Sequence, residues 1–94
     1  MPTEVLHDPG MSRYELLVDG ESVGELDYQK RDGTLVLTHT EIDPAKREAG
    51  LGGELVRGAL NLIRAESDER VVASCKFASA WIAKHPEYQD LLER

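Results

Sequence analysis

Apolar residues recur at every second position in the first half of this chain and at every third or fourth in the second half. Residues 13–18 set Tyr14, Leu16 and Val18 against Arg13, Glu15 and Leu17, the period of a strand with one buried face. Asp19-Gly20 follows, a pair that tolerates the positive φ angles of a tight hairpin. Alternation resumes over residues 23–28 and stops at Asp32-Gly33, a second hairpin signal of the same kind. The third strand covers residues 34–41, with Leu35, Leu37 and His39 on one face and Val36, Thr38 and Thr40 on the other. Its β-branched content suits extended backbone, and strict alternation places Glu41 on the face of His39.

The period then changes. Residues 43–50 contain Pro44 and Gly50 and no lasting repeat, which predicts a loop. Beyond it Leu51, Leu55, Ala59, Leu62 and Ile63 line one helical face, leaving Glu54, Arg57, Asn61 and Arg64 for solvent. Gly58 costs this helix about 1 kcal/mol relative to alanine and is expected to let it pack closely on the sheet. The apolar run 70–75 predicts a buried strand, parallel to the third because a crossover helix joins them. Ala78, Trp81 and Ile82 predict a short amphipathic helix that ends near His85, since Pro86 disfavours helical geometry in the residue before it. Tyr88, Leu91 and Leu92 fit a last helical turn. Residues 1–11, with Pro2, Pro9 and Gly10, show little period and are expected to form a loosely held arm. The expected fold is α/β: a three-strand antiparallel meander, a right-handed crossover helix, a parallel fourth strand and a C-terminal helix in one mixed sheet.

Composition narrows the function more than the fold. A chain of 94 residues buries roughly 60 to 65% of its unfolded surface, enough for one core and one domain over residues 1–94. Hydrophobic residues at 40% and charged ones at 31% argue against disorder over most of the length. No apolar run approaches the roughly 20 residues of a membrane span, and residues 1–10 lack the basic stretch and apolar core of a secretory signal, so a cytoplasmic protein is expected. The single cysteine, Cys75, can form no internal disulfide, and neither a CxxC pair nor zinc spacing exists, so no metal is expected. A formal charge of −7 without a dense Lys/Arg cluster disfavours nucleic acid. It suits a cationic acceptor, although solubility alone accounts for it.

The chemistry gathers where the third strand gives way to the first helix. First-turn N–H groups lack intrahelical partners and the helix dipole adds positive charge there, so the junction suits phosphate. Glycine lets the backbone come close to an anion. An isolated Gly-x-Gly is more often a plain turn, but here the spacing is Arg47-x-x-Gly50-x-Gly52 between strand and helix. It is neither a Walker A loop, which needs a Lys-Ser/Thr pair, nor a Rossmann turn, which follows the first strand. The pattern resembles the R/Q-x-x-G-x-G/A signature of the GNAT N-acetyltransferase superfamily. His39-Thr40-Glu41 before the loop, and Cys-Lys-Phe-Ala-Ser-Ala-Trp-Ile-Ala-Lys-His-Pro-Glu-Tyr from Cys75 to Tyr88, resemble its small GNAT-like, YjdJ-type group. The likeness covers residues 13–92.

That resemblance implies a minimal N-acetyltransferase with acetyl-CoA as cosubstrate and an unidentified amine, on a protein or a polyamine, as acceptor. It implies that strand 36–41, carrying Thr38 and Thr40, pairs with the pantetheine arm and splays from strand 71–75, with the acetyl group in the gap. Arg47 and the backbone of Glu48, Ala49, Gly50, Leu51, Gly52 and Gly53 would hold the pyrophosphate, and Phe77 would flank the pantetheine end. Two departures qualify it. Full-size members insert helices between their first two strands, whereas Asp19-Gly20 joins them directly here, which leaves the acceptor side open. Glu48 stands where relatives often carry a base, and a carboxylate beside a pyrophosphate weakens binding.

Acetyl transfer needs a deprotonated amine, a polarised carbonyl and a proton for the leaving thiolate. Cys75, at the end of its strand, suits an acyl-accepting nucleophile or a proton donor; the alternative is a small core residue. His39 suits a general base, against a hydrogen-bonded structural histidine on the face of Leu35 and Leu37. Glu41 suits a base or an anchor for the amine, against a solvated strand end. His85 reads as a helix stop and Trp81 as core. A non-catalytic acyl-CoA binding or sensing module is the alternative function, and a scaffold that has lost the coenzyme is a third. Gly50→Glu or Gly52→Glu is expected to abolish coenzyme binding with the fold intact.

Overall fold

In the computed structural model, which describes residues 2–46 and 50–94, the chain builds five strands and two α-helices: β1 (Thr3–Asp8), β2 (Arg13–Val18), β3 (Glu21–Arg31), β4 (Thr34–Ile42), α1 (Leu51–Glu66), β5 (Arg70–Ala73) and α2 (Lys76–Ala83). Short 3-10 segments follow β4 at Pro44–Lys46 and α2 at Pro86–Glu93. Both Asp-Gly pairs make the hairpins their chemistry favours. Asp19 and Gly20 have φ of 52° and 82°, and Asp32 and Gly33 have 47° and 77°, the paired left-handed residues whose twist matches that of the flanking strands.

The N-terminal segment is not a loose arm. Thr3–Asp8 pairs antiparallel with β2, setting Val5 opposite Leu16 and His7 opposite Tyr14. The meander therefore has four antiparallel strands rather than three, and the sheet order is β1-β2-β3-β4-β5 with β5 parallel to β4. Two contacts hold β1 down. A Cβ at Gly58 would fall inside the Val5 side chain, so the bare helix backbone is what lets the strand seat. The His7 ring stacks on Tyr14 at a centroid distance of 4.4 Å, and its Nε2 lies 2.6 Å from the Tyr28 hydroxyl. With β1 in the sheet, the first two strands are joined at residues 9–12, and Asp19-Gly20 joins the second to the third. Both connections are direct.

A second correction concerns β4. Asp27 faces His39 but Tyr28 faces Leu37, so Thr38 is an extra residue, a β-bulge. One added residue moves every later side chain to the opposite face. Leu35 and Leu37 are buried; beyond the bulge Thr40 and Ile42 turn inward while His39 and Glu41 are exposed. His39 thus does not share the face of Leu35 and Leu37.

Helix α1 buries Leu51, Leu55, Val56, Ala59, Leu60 and Ile63, and α2 buries Ala78 and Ile82. These side chains form one core with Leu16, Leu26, Leu37 and Val71 of the sheet, giving a two-layer arrangement in which helices cover one face. The C-terminal 3-10 segment joins the same layer: Arg64 of α1 donates to both carboxylate oxygens of Asp90, at 2.6 and 2.9 Å, and to the Glu87 carbonyl at 2.8 Å. Among the described residues no helix is long and apolar enough to cross a membrane.

Candidate functional site

The bulge at Thr38 has a consequence at the sheet edge. Parallel pairing of β4 with β5 runs from Thr34 opposite Arg70 to Leu37 opposite Ala73. There the Leu37 carbonyl accepts from both Ser74 N and Cys75 N, at 2.9 and 3.0 Å. Past that point β4 stays with β3, helped by a Thr38 hydroxyl that donates to the Asp27 carbonyl at 3.2 Å. The chain after β5 turns instead into α2. The strands fork, and a cavity of about 400 Å³ lies beside the fork, lined by Thr40, Glu41, Ile42, Gly50, Leu51, Gly52, Gly53 and Phe77.

Helix α1 presents its start to that cavity. Gly50 is its N-cap, with φ of 87°, and as a glycine it supplies no side-chain capping bond. The Glu54 N–H already bonds the Gly50 carbonyl at 2.9 Å, so it is the amides before it that point out of the helix. Gly52 and Gly53 also have packing reasons to lack side chains. A Cβ on Gly52 would lie 2.6 Å from Phe77 Cζ, and one on Gly53 2.9 Å from Trp81 Nε1. Phe77 is 46% exposed and lines the cavity. Trp81 packs against the core, stacked on His85 at 3.7 Å, with the Arg57 guanidinium 5.1 Å from its ring. His85 Nδ1 lies 2.6 Å from the Trp81 carbonyl at the end of α2. Arg47, Glu48 and Ala49, named above as pyrophosphate contacts, lie outside the described residues.

The candidate catalytic groups divide between the two faces of β4. On the inner side Cys75, half-buried, has its sulfur 3.1 Å from the Thr40 hydroxyl. On the outer side His39 Nε2 lies 3.0 Å from Glu41 Oε1, both side chains being exposed. Glu41 belongs to both settings, since it also lines the cavity. Thr38 is exposed and is not among the lining residues. Ile42, which sequence reasoning did not single out, does line it; only the register beyond the bulge turns Ile42 inward, over Gly24.

Electrostatics follow from these contacts. The Glu41 hydrogen bond raises the His39 pKa above its ordinary value against a smaller opposing desolvation, and the charges of Glu41, Asp27 and Glu25 add to the rise. Burial pushes the Cys75 thiol up. The Thr40 hydroxyl and the backbone amides of Ala78, Phe77 and Thr40 more than offset it, so the thiol lies below its usual range.

A helix start with glycine as its N-cap, glycines that bring backbone to the cavity wall, and an apolar ring beside them suit a ligand with a phosphate at one end and an aliphatic arm at the other. Residues 13–91 match the sequence family described as GCN5-related N-acetyl-transferase. The structure is similar to that of N-acetylglutamate synthase from Neisseria gonorrhoeae, solved in complex with coenzyme A and N-acetyl-glutamate, with a TM-score of 0.60 at 13% identity. The alignment covers 94% of this chain and 26% of that one, so the chain spans about a quarter of that protein, and at this identity the likeness is one of fold. No curated protein sequence matches the chain. With most of its length, residues 13–91, inside the family match, the chain belongs to the GCN5-related N-acetyl-transferase family.

Proposed function

We propose that this protein is an acetyl-CoA-dependent N-acetyltransferase acting on a primary amine. One observation carries the reading: the glycine start of α1 and the end of β4, past its pairing with β5, line one cavity together with Phe77 of α2. The backbone amides at Gly50, Leu51, Gly52 and Gly53 would hold the diphosphate together with Arg47, and Thr40 and Phe77 would flank the pantetheine arm. Bound acetyl-coenzyme A supplies an acetyl thioester, and its transfer to an amine releases the coenzyme thiol. Cys75, a thiol held below its ordinary range, is suited to give its proton to a departing thiolate, since matched acidities ease proton transfer. Neutral His39 is suited to take the proton of the incoming ammonium, with Glu41 orienting the ring and attracting the cation.

Calorimetric titration with acetyl-coenzyme A, followed by turnover assays with labelled acetyl-coenzyme A against polyamines, amino acids and lysine peptides, tests this reading. Saturable binding with turnover above the uncatalysed rate is the expected result; no binding at all would end it. The outer sheet face, free of helical cover among the described residues, favours a second reading as a non-catalytic acyl-CoA binding module. That reading predicts binding without turnover.

The His39 assignment makes a separate prediction. The base works when neutral, so kcat/KM rises with pH through the raised His39 pKa. Replacing Glu41 by Gln removes the main cause of that elevation, and the acid limb of the profile is expected to move to lower pH. An acid limb that stays in place in Glu41→Gln would assign the titrating base to another group.

A further inference from the structure

We infer that Thr40 is a positioning residue for Cys75, its hydroxyl donating to the sulfur and holding it at the mouth of the fork. The inference rests on the reading of Cys75 as a reacting group of this site, and its geometry comes from the bulge. Under plain alternation Thr40 lies on the face opposite Leu35 and Leu37. The extra residue at Thr38 turns it inward, opposite the buried Leu26, where the residue lines the cavity and its hydroxyl reaches the Cys75 sulfur at 3.1 Å. The contact spans the fork at a level where the ladder between β4 and β5 has already ended at Leu37 and Ala73. A side chain does there what backbone pairing does lower in the sheet.

The backbone amides of Ala78, Phe77 and Thr40 also favour the thiolate. Cys75 is the N-cap of α2 yet makes no side-chain capping bond, and among the described residues Thr40 is the side chain that hydrogen-bonds its sulfur. A hydroxyl donor favours thiolate over thiol, because hydrogen bonds to an ionised acceptor are about twice as strong as neutral ones. The lowered thiol pKa, to which the Thr40 hydroxyl is the leading contributor after opposing desolvation, agrees with this geometry.

The test is the rate of iodoacetamide alkylation as a function of pH on the full chain without coenzyme. Thiolate displaces iodide, forming the S–C bond, and the only cysteine is Cys75, so the signal has no background. Thr40→Val deletes the hydroxyl in a side chain of similar shape. It is expected to slow alkylation about tenfold near neutral pH and to move the profile to higher pH. Thr40→Ser keeps the hydroxyl and is expected to stay within about twofold of the parent chain. A Thr40→Val profile that overlays the parent, or a Thr40→Ser profile as displaced as that of Thr40→Val, would overturn the assignment. If Thr40→Val does not fold, Thr40→Ala makes the same deletion; failure of both to fold would mark the hydroxyl as a structural brace and overturn it equally. Because no coenzyme is present, the result stands apart from whether acetyl-coenzyme A binds.

Discussion

Gly52→Glu is expected to weaken acetyl-coenzyme A binding by at least about a hundredfold, the loss of roughly 3 kcal/mol carried by one or two charge-assisted hydrogen bonds. Two effects act together. The new side chain begins at a Cβ that would lie 2.6 Å from Phe77 Cζ, so the ring must leave its place on the helix start. The carboxylate then competes for the first-turn amides that a diphosphate would use. The helix itself tolerates the change, because an acidic residue near a helix N-terminus is favourable. Gly50→Glu is a poorer test than the sequence implied, since Gly50 sits at φ of 87° and any side chain there costs about 1–2 kcal/mol of backbone strain. Titration calorimetry beside a thermal melt reads both quantities. Undiminished affinity in a folded Gly52→Glu variant would remove the phosphate role of this turn.

Gly58→Leu is expected to cost roughly 1–2 kcal/mol of stability, the upper part of the overpacking range less about 1 kcal/mol of helix-propensity gain. For a domain of this size that lowers the melting midpoint by roughly 4–16 °C. The cause is Val5, which occupies the volume a Cβ at Gly58 would need, so the substitution pushes β1 off the helix. Val5→Ala in the same chain is expected to recover part of the loss, because the two changes act on one contact. A Gly58→Leu midpoint at or above that of the parent chain would show that β1 does not seat on α1.

The residues that act locally were the legible ones. Asp19-Gly20 and Asp32-Gly33 specify hairpins through their own backbone preferences, and the spacing of Leu51, Leu55, Ala59 and Ile63 specifies the buried stripe of α1. Gly50 and Gly52 marked the start of that helix, and the cavity lies against it. The segment from Thr3 to Asp8 was obscure for a definable reason. Val5 and His7 point inward, but Leu6, 43% exposed, points outward, so apolar residues stand next to one another and hide the two-residue period. Its burial depends on Gly58 and Tyr28, which lie far along the chain.

The amino-acid sequence alone therefore determined the order of elements from residue 13 onward, both tight turns and the glycine-led helix start, because each depends on the φ/ψ preferences and periodicity of neighbouring residues. Tertiary structure decided the rest: that β1 joins the sheet, that Thr38 bulges, and that Thr40 consequently meets Cys75 while His39 and Glu41 turn to the other face. Register and bulges are settled by pairing between strands, and a shift of one residue exchanges the two faces of everything that follows.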